Sequence, residues 1–165
     1  MPLQWKHQLP TGETVPWTLK EVIQGKPVNR PTHPMLVHFP IAFYIGALVL
    51  DVISRLWHFP AAPLMATWLI LGAFIGSAGA VTTGLVDRST MRSGSKIRAK
   101  ATQHMLLQFT VAALFVLVEI IRWGSRHDPK ASWGWIVIEL VAVLVLTVGA
   151  DLGGQMVYKM GFRVE

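Results

Sequence analysis

The chain has 165 residues, 52% hydrophobic and only 15% charged, with a formal charge of +6; soluble domains carry about 25% charged residues. That balance excludes a disordered chain, leaves a water-soluble monomer too little polar surface, and carries no basic–aromatic interleaving of the kind that binds nucleic acid. Without cysteine there are no disulfides, thiolate zinc sites, iron–sulfur clusters or covalently attached c-type haem, so any cofactor must be held by His, Met, carboxylate or backbone.

Residues 1–34 read as an N-terminal interfacial segment. Val15 to Gln24 predicts a short helix, with Pro16 near its start and Gly25 after its end. Trp17, Leu19, Val22 and Ile23 give it an apolar side, so it lies at the interface or caps the bundle; the alternative is a mobile tail. No apolar run begins near Met1, so a cleavable signal peptide is not expected. Four apolar stretches follow: about Met35 to Trp57, Leu64 to Val86, His104 to Trp123 and Trp133 to Asp151. Each approaches the ~20 residues that cross a bilayer. Their short connections predict an all-α polytopic membrane protein, an antiparallel four-transmembrane-helix bundle over residues 35–151 with a tail at 152–165.

Charge sets the expected orientation. Lys6, Lys20, Lys26, Arg30, Arg88, Arg92, Lys96, Arg98, Lys100, Lys159 and Arg163 fall on the side of the termini. Arg55, Arg122, Arg126 and Lys130 fall on the other. The positive-inside rule then places both termini in the cytoplasm of a bacterial inner membrane.

The stretch His33-Pro34-Met35-Leu36-Val37-His38-Phe39-Pro40 is the most informative. Pro34 suits a helix start, placing His33 near the N-cap and His38 one turn inside the first span. An imidazole at membrane depth needs a partner. His104 opens the third span on the same side, so His38 and His104 are expected at matched depth on different helices, as bis-histidine haem or a metal requires. On the third span His104, Gln108, Val111, Phe115 and Glu119 form one stripe that should face inward. Gly72, Gly76, Ala80 and Gly84 form a small-residue ladder on the second span. It admits a neighbouring backbone or a flat cofactor, helix packing being the commoner use. Arg88 and its basic loop could hold propionates or lipid head groups, with topogenic charge as the simpler reading. Asp87 and Asp151 could orient an imidazole or pair with Arg88 or Lys100. Asp51, Glu119 and Glu139 lie within the spans; Asp51 with Arg55, and Glu119 with Arg122, read most simply as local ion pairs, with a proton path as the weaker alternative. His7, His58 and His127 have no assigned role.

Taken together, LKEVIQG at Leu19–Gly25, HPMLVHFPI at His33–Ile41, TGLVD at Thr83–Asp87, His104, and GGQMVYKMGFRV at Gly153–Val164 resemble the bacterial membrane-protein family of domain of unknown function 2231. The resemblance covers nearly the whole length. It implies four helices, occasional association with cytochrome-type domains, and a haem-binding role for histidines. The sequence departs from the family pattern at Arg30 and Met160, where many members have histidine.

The function expected is b-type haem binding, as an electron carrier or redox-complex subunit. His38 and His104 are the candidate axial ligands; His33, Gly76, Ala80, Gly84 and Arg88 are candidate cofactor contacts. The alternative is a non-catalytic accessory subunit of a larger respiratory or photosynthetic membrane complex, or a homo-oligomer. A small transporter is weaker, since no repeat or broken-helix pair is evident in the sequence. No enzyme motif is present.

Overall fold

In the computed structural model, which describes residues 6–163, four long helices form an antiparallel bundle. The order is a hairpin of β1 (Lys6–Gln8) and β2 (Thr14–Pro16), then α1 (Leu19–Ile23), α2 (Thr32–Leu36), α3 (His38–Leu56), α4 (Ala62–Ser89), α5 (Lys96–Arg122) and α6 (Trp133–Tyr158). Four helical stretches are long and apolar enough to cross a membrane: Thr32–Leu56, Ala62–Ser89, Lys96–Ser125 and Trp133–Tyr158. Ile75, Trp68, Ile120 and Leu144 point outward on them. Large apolar side chains so exposed need lipid rather than water around them.

The N-terminal helix is shorter than predicted. Val15 and Pro16 belong to β2, where they pair with His7 and Lys6. The turn Leu9–Glu13 closes that hairpin, with Gly12 at φ +87°. α1 starts instead at a capping box: the Thr18 hydroxyl accepts from the Glu21 N–H, and the Glu21 carboxylate accepts from the Thr18 N–H. Gly25 then turns the chain at φ +78°, and a Cβ there would lie 1.9 Å from the Arg30 carbonyl oxygen, so only glycine fits. This segment caps one end of the bundle, where the buried Gln24 side chain donates to Asp87 of α4 (3.3 Å).

Three long helices outrun their apolar stretches. α5 begins at Lys96, capped by Ser95, so His104 lies about two turns inside it rather than at its start. α4 ends at Ser89, and α6 continues past Asp151 to Tyr158. The first span is two helical pieces. Pro40 has no N–H to give the Leu36 carbonyl, and regular helix lapses at Val37 between α2 and α3.

α3 packs along α4 and α5 along α6, and the hairpins join through α3 against α6 and α4 against α5. Fully buried alanines at 47, 66, 73 and 142 let the backbones approach. At the centre Tyr44 stacks on Phe115, with ring centroids 4.1 Å apart.

The two hairpins repeat one another. His33 meets His104, Tyr44 meets Phe115, and Asp51 meets Arg122; each pair is 71 residues apart. Buried positions of α4 recur on α6 at a spacing of 69: Ile70 and Glu139, Ala73 and Ala142, Asp87 and Met156, with Ala62 matched by Ala131 just before α6. Equivalent residues that face each other in this way define a quasi-two-fold axis along the bundle, a parallel repeat.

Candidate functional site

At the end of the bundle near α1, a cavity of about 440 Å³ opens between the helices. His33 and His104 both line it, with ring centroids 6.3 Å apart and ring planes at 90°. Each is held in the same way. His33 Nδ1–H donates to the Ala80 carbonyl of α4 at 2.9 Å, and Thr83 Oγ1 lies at 3.2 Å. His104 Nδ1–H donates to the Gly149 carbonyl of α6 at 2.7 Å. A carbonyl can only accept, so the proton of a neutral ring is on Nδ1 and the Nε2 lone pair is free. Neither Nε2 has a hydrogen-bond partner among the described residues.

Small residues make room for both rings. A Cβ on Gly84 would lie 2.9 Å from His33 Cε1, and one on Gly153 would lie 3.3 Å from His104 Cε1. Gly84 stands four residues after Ala80, as Gly153 does after Gly149, so the quasi-repeat reproduces the whole imidazole setting.

The structure thus brings His33, not His38, against His104. Helix α2 starts at Thr32, N-capped by Pro31, which carries His33 into the bundle rather than leaving it at the cap. His38 is exposed, and its Nδ1 meets only the local Met35 carbonyl at 3.3 Å, although it borders the cavity. The glycine ladder divides its roles. Gly72 accommodates Phe43 and Gly76 accommodates Pro40, so those two serve helix packing, while Ala80 and Gly84 face the imidazole. Arg88 lines the cavity and donates through Nε and Nη2 to Thr102 Oγ1. Asp87 bonds neither imidazole; it accepts from Gln24 and from Arg163 at 2.5 Å, tying both ends of the chain to α4. Asp151 accepts from Gln155. Met160 packs with Met91, Ala101 and Met156. Among the described residues no three His, Asp or Glu side chains are grouped to hold a metal ion by themselves.

The opposite end carries a buried ion cluster, which replaces the expected local pairs. Arg122, Asp51 and Glu139 are all fully buried. Arg122 Nη1 and Nη2 donate to the two oxygens of Asp51 at 2.8 and 3.0 Å, a bidentate pair. Nη1 also donates to Glu139 (3.1 Å), and Nη2 to the Pro63 carbonyl (2.6 Å). Arg55, read as the partner of Asp51, instead lies 5.5 Å above the Trp133 ring.

Several of these residues escape a reading of the sequence. Gly149 and Gly153 lie on α6, and so does Glu139, whose partner Arg122 is on another helix and is not visible as a neighbour in sequence. The available signal is spacing. Eighteen residues at ~100° each make five whole turns. His33 therefore shares a face with Asp51, as His104 does with Arg122.

An antiparallel four-span bundle of this kind is an integral membrane protein. Residues 29–165 match the family described as "Predicted membrane protein (DUF2231)", and the chain belongs to it. No curated protein and no solved structure matches the chain significantly.

Proposed function

We propose that the chain binds haem b between His33 and His104 and serves as an electron carrier or a subunit of a membrane redox complex. The observation that carries this reading is the histidine pair. Both rings are fixed as Nδ1–H tautomers by backbone carbonyls, the arrangement that raises the basicity of the free nitrogen of a ligating imidazole. The ring centroids lie 6.3 Å apart, so His33 and His104 are near enough for both to hold one group. Gly84 and Gly153 leave the rings unobstructed, and Arg88 stands at the cavity wall to receive a propionate. Bound there, haem iron would supply one-electron chemistry; the protein's part is to orient the two imidazoles through Nδ1–H bonds to the Ala80 and Gly149 carbonyls.

The charge asymmetry of the loops supports an orientation in which this end of the bundle, with both termini, faces the cytoplasm across a bacterial inner membrane. The test is a reduced-minus-oxidised absorbance spectrum of protein purified from haem-replete membranes. A low-spin b-type signal is expected, abolished in His33→Ala and His104→Ala. It should survive in His38→Ala and in His58→Ala, the control at the other end. A parent without haem, or a spectrum unchanged by both ligand variants, overturns the reading in favour of an accessory subunit. If His38→Ala abolishes the signal and His33→Ala spares it, the axial pair is wrong.

A further inference from the structure

The ion cluster at the other end of the bundle cannot be neutral as a set of fully ionised side chains. Asp51 and Glu139 both bond the single guanidinium of Arg122, so two carboxylates share one positive charge. None of the three side chains is exposed at all. An uncompensated charge in such a place costs several kcal/mol, and the usual remedy is a proton.

Unsatisfied atoms in the same spot point the same way. Glu139 Oε2 has no partner, although Glu139 is fully buried. Arg122 Nε is also buried without a partner, and the guanidinium lies 5.3 Å from the Trp135 ring centroid. Buried polar atoms are rarely left so. The two carboxyls accept from one nitrogen, Nη1, at 2.8 and 3.1 Å, which leaves between those oxygens a gap that one water can bridge. A metal cation is disfavoured because the guanidinium already occupies the centre.

We propose that Asp51, Glu139 and Arg122 form an enclosed proton-binding site that holds one proton, taken from solvent, between the two carboxyl groups. It is a different site from the histidine pair, about 27 Å away along the first span by 18 residues at ~1.5 Å, and it stands whether or not haem binds. Among the described residues, the ionisable groups near it are Asp51 and Arg55 from α3, Glu119 and Arg122 from α5 with Arg126 just after it, and Glu139 from α6, while α4 contributes the Pro63 carbonyl. Glu119 is the one further acid, with both oxygens unpartnered, so it must be silenced in the test.

Infrared spectroscopy of purified Glu119→Gln at pH 7 should show the carbonyl stretch of a protonated carboxyl in a dry site. Glu139→Gln and Asp51→Asn, each added to that background, are nearly isosteric. Each should abolish the band, because the one remaining carboxylate then balances Arg122. Absence of the band from the Glu119→Gln protein overturns the proposal without any further variant. So does its persistence in either double variant, since the proton then resides elsewhere.

Discussion

Alanine at position 79 and alanine at position 84 should move stability in opposite directions, although both replace a glycine in the same helix. In a helix interior the change from glycine gains about 0.8–1.0 kcal/mol from propensity. At Gly79 nothing opposes the gain, since the new methyl meets only Leu36 Cδ1 at 3.7 Å, an ordinary contact. At Gly84 it would stand 2.9 Å from His33 Cε1 and 3.1 Å from Nδ1. The ring must retreat about half an ångström to reach normal packing, and overpacking of that kind costs about 1–3 kcal/mol. It cannot swing freely, because Nδ1 is held to the Ala80 carbonyl at 2.9 Å, and losing that bond costs about 0.5–1.5 kcal/mol more. Gly84→Ala should therefore fall about 1–3 kcal/mol below Gly79→Ala. Gly153→Ala, with its 3.3 Å approach to His104, should lie between them. Reversible unfolding in mixed detergent micelles, followed by circular dichroism, measures the series. Equal stability of the 79 and 84 variants would show that His33 is not seated against α4 as described.

Ser54→Ala should destabilise by about 1–3 kcal/mol in the same assay, because the Ser54 hydroxyl accepts from the buried Ala131 N–H at 2.9 Å and would leave it unpaired. Glu21 is held at about 2, below its usual 4.5, chiefly by the Thr18 backbone and side-chain hydrogen bonds and then by Lys26. A carboxyl lowered on folding stabilises above its unfolded value and loses that contribution as pH falls toward the folded one. The protection of α1 amides, measured against the intrinsic exchange rate at each pH, should therefore fall between pH 4.5 and about 2 in the parent, and much less in Glu21→Gln. Reporter fusions near Ser95 should read as cytoplasmic, and those near Pro60 and Arg126 as external; a protected tag at Arg126 in intact cells would reverse the orientation.

The bundle is legible in the sequence because membrane spans advertise themselves by length and apolarity, and the structure keeps all four. Boundaries are less so. Lys96–Gln103 is polar enough to pass for loop, yet it is helical and capped by Ser95, since a helix that emerges from lipid keeps its backbone bonds in water. The hairpin at Lys6–Pro16 is hidden because Pro16 resembles a helix start when its strand partner ten residues upstream is unseen. At the candidate site, the sequence singles out His104 on α5, which lines the cavity against His33, and His38 on the first span, which lies exposed at the cavity border. Depth alone favours His38. What brings His33 inward is the early start of α2 at Thr32 and the gap that Gly84 leaves on α4, a fact of packing between helices. Ion pairing misleads for the same reason: neighbours at i+3 and i+4 are visible in sequence, whereas Asp51 finds Arg122 only through the fold.

The 71-residue repeat is hard to read because little but geometry is repeated. Along the facing helices His33 and His104 coincide, as do Ala42 and Ala113, but Tyr44 has become Phe115 and Asp51 has become Arg122. The last change follows from the symmetry itself. On a two-fold axis a residue meets its own equivalent. Neutral imidazoles tolerate that meeting, and so do stacked rings, but two like charges buried together do not. Aspartate against arginine resolves the conflict at 51 and 122, and it makes the two hairpins non-interchangeable. The cluster is then left with one carboxylate in excess, because Ile70 of the first hairpin is Glu139 in the second. The histidine end remains symmetric, with matching carbonyl anchors and matching glycines. One repeat thus ends in a symmetric pair of imidazoles on one side and an asymmetric set of charges on the other, so its two ends differ in chemistry.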